Sequence, residues 1–476
     1  LGKTITIDPV TRIEGHAKIT LVLDDAGRVA DARFHVTELR GFEAFCVGRH
    51  FLEMPAITAR ICGICPVSHS LASSLAGDRI LGVDPPPAAK ALRRLLTLAQ
   101  LLQSHALSFF HLSAPDLLLG MDAPPGERNL AGLIRKHPDV AKDGIRLRAI
   151  GQSIIRTLAG QSVHPPFIVP GGVLAPLPAE ARDRIASMAP EGRAIVLRAI
   201  DLLQAAREKL GGEISEYGDS PALFLGTVDG NGTLEHVDGL LRMVDATGGR
   251  VVDDLPTDRY GEILGEEMEP WSYMKFPYLH APGIPAGRAP YRVGPLARLN
   301  ACDRAGTPLA DRELARFKAL GDAGRPVAAT FHYHYARLVE MLHALERIEA
   351  VGGDAAIAGT DVRAGGRVRR SVGIGACEAP RGTLFHEYHV DPDGILLRVK
   401  LLVATSQNNR AINEAIRLVA DKRLSGGRLT EGALNRIEHA VRLYDPCLSC
   451  ATHAIGPPAL RVRLVDIHGT LLEERS

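Results

Sequence analysis

The sequence predicts an α+β fold, predominantly α: a central bundle of long helices with small antiparallel sheets at its periphery. Two observations carry that expectation. Period-two alternation of apolar residues is confined to the first 37 positions and to 366–403, whereas apolar residues at helical spacing recur through most of the rest. The 476 residues also exceed the roughly 250–300 at which single cores stop growing, so the chain is long enough to bury a deep site.

Strands are expected at Thr4–Ile7, Ala17–Leu23 and Val29–Val36, the last two joined by the turn Asp24-Asp-Ala-Gly27. Helical spacing begins near Ser68. Pro85-Pro-Pro87 opens a long helix to Leu112, whose wide apolar arc (Leu92, Leu95, Leu96, Ala99, Leu102, Ala106) suits burial inside a bundle. Further helices are expected at 145–159, 179–209, 308–320, 327–349, 407–421 and 430–442. Pro- and Gly-rich stretches at 163–178 and 281–296 read as structured loops.

Composition excludes several classes. A formal net charge of +1 gives no field to attract nucleic acid, and no apolar run reaches the ~18 residues of a membrane span. Neither a signal-peptide core nor a twin-arginine pair stands at residues 1–16, so a cytoplasmic location is expected.

Seven cysteines, an odd number, argue against a disulfide framework. Four form two Cys-x-x-Cys pairs, in Arg60-Ile-Cys-Gly-Ile-Cys-Pro-Val-Ser-His69 and Asp445-Pro-Cys-Leu-Ser-Cys-Ala-Thr-His453. That spacing brings two sulfurs to one side of a turn, and two pairs supply four thiolates. A structural zinc site is one reading, although compact zinc ribbons separate their pairs by roughly 15–20 residues. Soft thiolates equally suit nickel and iron and can bridge two metals. Cys46, Cys302 and Cys377 have no partner spacing and read as free buried thiols.

The two cysteine motifs resemble the signatures of nickel-iron hydrogenase large subunits. Arg12-Ile-Glu-Gly-His16, Arg40-Gly-Phe-Glu43 and Glu378-Ala-Pro-Arg-Gly382 resemble that family too, in the same order. Phe42, the stretch Gln103 to Asp116, and Val403-Ala-Thr-Ser-Gln-Asn-Asn409 are most similar to its NAD-reducing branch. The resemblance implies a large-subunit domain over 1–453, with a small N-terminal sheet to about residue 40, and an extension, 454–476, removed during maturation.

By the same resemblance Cys62, Cys65, Cys447 and Cys450 bind nickel, with Cys65 and Cys450 also bridging to an iron that carries carbon monoxide and cyanide. Glu14 takes the proton from a nickel thiolate, here Cys447, a task suited to a carboxyl whose pKa burial raises; for an Arg12–Glu14 pair in isolation an exposed salt bridge is the usual fate. Arg381 stands over the open side of the metals with Asp116 and Asp445 as acidic neighbours, and its fixed planar charge suits that place. His69 bonds a bridging sulfur and Thr405 a cyanide. Glu43 and His453, with a backbone carbonyl near 401–404, bind a separate magnesium.

Splitting dihydrogen heterolytically needs a Lewis-acidic metal and a nearby base, and the electrons must then leave. The three remaining cysteines cannot build an iron-sulfur cluster, and no Gly-x-Gly-x-x-Gly follows a strand. The resemblance supplies partners instead: an iron-sulfur small subunit, diaphorase subunits carrying FMN and NAD, and, for assembly, a maturation protease and nickel-insertion chaperones. NADP-, deazaflavin- or polysulfide-reducing branches are alternatives. A relative in respiratory complex I is the rival from another class, but that class has lost the four-cysteine set.

Overall fold

In a computed structural model the described residues are 4–218, 222–280, 291–424 and 429–454, with the backbones of 462–465 and 471–475. The chain begins with an antiparallel sheet of β1 (Thr4–Ile7), β2 (Ala17–Leu23) and β3 (Val29–Val36) in that order. Ala17, Ile19 and Leu21 are buried on one face of β2. The free edge of β3 meets a helix near the other end of the chain. There Asn413 and Asp421 accept from the Phe34 and Val29 N–H groups at 2.9 and 3.1 Å, which satisfies an edge that would otherwise be open.

Helix α1 (Pro66–Leu81) starts with proline, whose missing N–H costs nothing in a first turn. It is followed by α2 (Pro87–Ala106), α3 (Pro138–Ala159), α4 (Ala189–Leu210) and α5 (Tyr333–Ala350), where α2 packs on α3 and α5, and α5 on α4. Helix α6 (Ala404–Leu424) packs on α7 (Glu431–Tyr444) and covers β3. The stretch 179–209 is two helices, because Pro190 lies in the first turn of the second and cannot continue the first.

After Ala106 the long helix runs on through a widened π-turn, Leu107–Ser113, into Ala114–Leu119. Pro115 explains the widening. In a regular helix its ring would strike the carbonyl four residues back, and it has no N–H to give. In the same turn the Leu112 carbonyl accepts from Arg12 at 2.7 Å.

Between 223 and 279, where the sequence suggested no strands, two sheets occur. In one, β4 (Leu223–Val228), β5 (Leu240–Val244) and β6 (Arg250–Pro256) are antiparallel neighbours; the other pairs β7 (Leu264–Met268) with β8 (Lys275–Leu279). A two-residue strand, β9 (Tyr291–Arg292), adds to β4 in parallel. Of the expected loop 281–296, residues 281–290 lie outside the described residues.

The sheet that positions the site is β10 (Val372–Ala379), β11 (Gly382–Val390) and β12 (Leu396–Leu402), antiparallel in that order. It lies directly on α1. A Cβ at Gly373 would stand 2.2 Å from the Ala76 carbonyl oxygen, and one at Gly375 2.1 Å from that of Ala72, so only glycine permits this approach. Backbone therefore rests on backbone, which fixes the β10–β11 hairpin tip, Pro380-Arg381, relative to the residue that starts α1, Cys65.

Buried ion pairs lock the same layers. Arg298 makes two bonds to Glu340 (2.6 and 2.7 Å) and one to Glu378 (2.7 Å), while His105 of α2 reaches Glu340 at 2.8 Å. Arg93 and Asp78 join α2 to α1 at 2.6 Å. Strands Val462–Val465 and Leu471–Arg475 pair antiparallel; the remainder of 455–476 lies outside the described residues.

Candidate metal centre

Each Cys-x-x-Cys pair sits in a turn that enters a helix. Cys65 precedes α1 and Cys447 precedes the short helix Leu448–Ala451, so the thiol at the N-terminus of α1 feels the positive end of a helix dipole. Asp445 ends α7 in a left-handed conformation (φ 50°), which turns Pro446-Cys447 back toward α1. As a result the four sulfurs lie within 4.8 Å of one another. Cys447 is 2.8 Å from Cys450 and 3.3 Å from Cys62, and Cys65 is 3.4 Å from Cys450. None is more than 5% exposed.

The donor set fits soft cations. Hydrogen bonds from Cys447, Cys450 and Cys65 hold the Cys62 thiol well below its ordinary range, while burial pushes Cys447 and Cys450 well above theirs. Four thiolates at this spacing need cationic compensation. Among the described residues no other group of three or more Cys, His, Asp and Glu ligand atoms is gathered this closely.

A small cavity opens on one side of the sulfurs, lined by Pro380, Arg381, Leu384, Val403 and Thr405. Arg381 donates through Nε to the Asp445 carbonyl (2.5 Å) and through Nη2 to its carboxylate (3.2 Å), and Nη1 has no partner. Burial opposes that charge, but Asp445 and the Cys447, Cys65 and Cys62 sulfurs outweigh it and hold the guanidinium well above its ordinary range.

Glu14 arrives on the loop after β1. Gly15 (φ +82°) presses on Leu448, where a Cβ would be 2.7 Å from that of Leu448. The Glu14 carbonyl accepts from Leu448 N–H at 3.2 Å, and its carboxylate accepts from Ser449 N–H (3.1 Å) and Oγ–H (2.5 Å).

Comparison with known proteins agrees with this centre. The family of nickel-dependent hydrogenases matches residues 40–125, and a HoxL-like family matches 4–39. The chain is 40% identical to the NAD-reducing hydrogenase HoxS subunit beta of Cupriavidus necator over the full length of both. It belongs to the nickel-iron hydrogenase large subunits. It is also 40% identical to a chain of the F420-non-reducing hydrogenase vhu of Methanococcus voltae, across 88% of this chain and 99% of that one. The crystal structure of an NAD+-reducing [NiFe]-hydrogenase in the H2-reduced state superimposes with a TM-score of 0.90 at 45% identity, covering 95% of this chain and 99% of that one. The Ni-Fe-Se hydrogenase of D. vulgaris Hildenborough gives 0.77 at 26%, covering 95% and 100%. The four-cysteine cluster is therefore a hydrogenase metal site, and the relatives are themselves subunits of larger enzymes. Among the described residues no helix is long and apolar enough to cross a membrane.

Asp116 makes its bonds to groups other than Arg381. It pairs with Arg12, with His439 at 2.8 Å and with Arg442 at 3.1 Å, and is fully buried; among the described residues no hydrogen bond or ion pair joins it to Arg381. Arg12 is likewise bonded to Asp116 and not to Glu14. Asp116 anchors the loop that carries Glu14.

Thr405 accepts from Cys447 N–H at 2.9 Å, which leaves its own hydroxyl hydrogen to give. His69 Nε2 lies 3.2 Å from Cys450 Sγ. Glu43 Oε1 is 3.9 Å from His453 Nε2, a fully buried nitrogen with no hydrogen-bond partner, and Lys275 holds the other Glu43 oxygen at 3.1 Å. Cys46, Cys302 and Cys377 are buried and lie outside the cluster.

Ser449 and His439 were not legible as functional residues. Ser449 carries one signal, its place between two ligand cysteines; His439 carries none.

Proposed function

We propose that this hydrogenase chain cleaves dihydrogen reversibly at a nickel-iron pair and passes the electrons, first through an iron-sulfur small subunit, then through flavin-bearing diaphorase subunits, to NAD. The observation that carries the reading is the cluster of four buried sulfurs formed by two Cys-x-x-Cys turns at a separation of 385 residues. NAD as acceptor is supported by the full-length relative that reduces it and by the 0.90 superposition. A cytoplasmic location follows from that acceptor. Relatives of the F420-non-reducing kind at equal identity support a second reading, in which the same centre serves another acceptor.

Cys62, Cys65, Cys447 and Cys450 would hold the nickel-iron pair, with carbon monoxide and cyanide completing the iron. When bound, the metal pair supplies the Lewis acidity that makes dihydrogen a usable acid. The chain's own groups do the rest. Cys447 Sγ receives the proton, and Glu14, clamped by Ser449 beside Cys447, carries it away. Arg381, fixed by Asp445, lines the cavity with its partnerless Nη1, and Thr405 would donate its hydroxyl hydrogen to a cyanide.

Glu43 Oε1 and His453 Nε2 are spaced to share a hard cation such as magnesium, and the buried orphan nitrogen fits that assignment. The tail 454–476 is the extension that maturation removes, by a dedicated protease after nickel-insertion chaperones have acted.

The purified multisubunit complex tests this. Nickel, iron in excess over it because the partner subunits carry clusters, carbon monoxide and cyanide infrared bands, and hydrogen-driven NAD reduction are expected. Zinc without nickel refutes the centre, while dye reduction without NAD reduction refutes only the acceptor.

A further inference from the structure

Behind the cluster, three buried rings form a hydrogen-bonded row that ends on Cys450. His69 Nε2 is 3.2 Å from Cys450 Sγ, His69 Nδ1 is 3.1 Å from His386 Nε2, and His386 Nδ1 is 2.7 Å from the Tyr388 hydroxyl. His69 is 1% exposed, and His386 and Tyr388 are fully buried. Helix α1 supplies the first ring. Strand β11 supplies the other two, which at i and i+2 share the face turned toward α1.

The geometry has a direction. A metal-bound thiolate has no proton, so Cys450 can only accept, and His69 Nε2 must carry hydrogen. No carboxylate among the described residues hydrogen-bonds either imidazole, and both are fully buried, so each ring is neutral and has one N–H. His69 Nδ1 therefore accepts, from His386 Nε2–H. His386 Nδ1 accepts in turn, and the only hydrogen left for it is that of the Tyr388 phenol. Three hydrogen bonds run the same way, from Tyr388 to the sulfur, and bonds aligned in series polarise one another.

We propose that Tyr388 is a positioning residue which, through His386, fixes the Nε2–H tautomer of His69 and strengthens the hydrogen bond donated to Cys450, lowering the donor strength of that sulfur toward its metals. This rests on the nickel-iron reading of the cluster. Outer hydrogen bonds of this kind set ligand orientation and basicity at metal sites generally. The row uses no residue of the Glu14–Ser449 side, so it tunes the centre without carrying its protons.

Infrared spectra of the matured complex test the proposal, because the iron's diatomic ligands report electron density directly. In Tyr388→Phe, the sulfur regains donor strength, the iron becomes more electron-rich, and its back-donation weakens the C–O and C–N bonds. All the bands are expected to move together to lower wavenumber at unchanged nickel and iron content. His386→Phe removes the last donor to His69 and is expected to shift them further in the same direction. Adding Tyr388→Phe to His386→Phe is expected to change nothing more.

Bands of Tyr388→Phe at the wild-type positions overturn the proposal. So does a shift that survives in the His386→Phe background, since the phenol would then act without the relay. Absence of bands from the wild-type complex is a separate result, which overturns the metal reading and the proposal with it.

Discussion

Replacing Asp116 with asparagine removes one charge and almost no volume, and so isolates what the buried carboxylate does. Its oxygens face Arg12, Arg442 and His439, with Arg128 at 3.5 Å, and both Asp116 and Arg442 have fully buried side chains. Breaking a buried pair by neutralising one partner costs about 3–5 kcal/mol, because the remaining charges stay desolvated. Unfolding entropy of about 2.1 cal/mol/K per residue gives a chain of this length roughly 1 kcal/mol/K, so Asp116→Asn is expected to lower Tm by about 3–5 °C.

The pH dependence follows from the same contacts. Burial alone would raise the Asp116 pKa, but Arg442, His439 and Arg12 outweigh it and hold the carboxyl well below the ordinary range. A depressed folded pKa contributes stability above the unfolded value, about 3.9, that is lost as pH falls toward the folded one. The deficit of the variant should be constant from about pH 5 to 8 and narrow below about pH 4. Scanning calorimetry on complexes matched for nickel content measures both. A Tm within about 1 °C of wild type, or a deficit that widens in acid, refutes the anchoring role.

Three further outcomes follow. Gly375→Ala would drive a Cβ into the Ala72 carbonyl and force β10 off α1; a loss of about 1–3 kcal/mol and reduced nickel content are expected, whereas Gly353→Ala, with open space around it, should match wild type in both. Serine at any of Cys62, Cys65, Cys447 or Cys450 should abolish nickel binding, measured by elemental analysis, while Cys46→Ala and Cys302→Ala should retain it. Glu14→Gln should keep both metals and their infrared bands yet lose hydrogen–deuterium exchange by about 10²-fold or more; exchange at the wild-type rate would remove Glu14 from the proton path.

The cysteine pairs were legible because metal chemistry demands one residue type at a local spacing. Helices with a clear apolar stripe were legible for the same kind of reason, and their errors fall at prolines, as at Pro190 and Pro115. Strands β4 and β5 were missed because at least four consecutive residues of each are buried, which erases the period-two signal. The partners of Arg12 and Glu14 were hidden for a different reason. Arg12 takes a positive φ (54°) and Gly15 another, so adjacent side chains diverge to Asp116 and Ser449, 104 and 435 residues away. No local pattern encodes such partners. The family resemblance supplied Arg381 and Asp445 as neighbours; 64 residues of separation would otherwise have hidden them.

The separation of the two cysteine turns also orders events during synthesis. At about 5–20 residues per second, the 385 residues between Cys62 and Cys447 take roughly 20–80 s to emerge. Throughout that interval the first pair of thiols exists without the second, a bidentate site open to any thiophilic ion in reach. The full set of donors forms only when α7 has folded and swung its C-terminal turn onto α1. Selectivity for the right metals thus begins as a matter of timing: the nascent chain must be kept from the wrong ion until the second cysteine turn arrives.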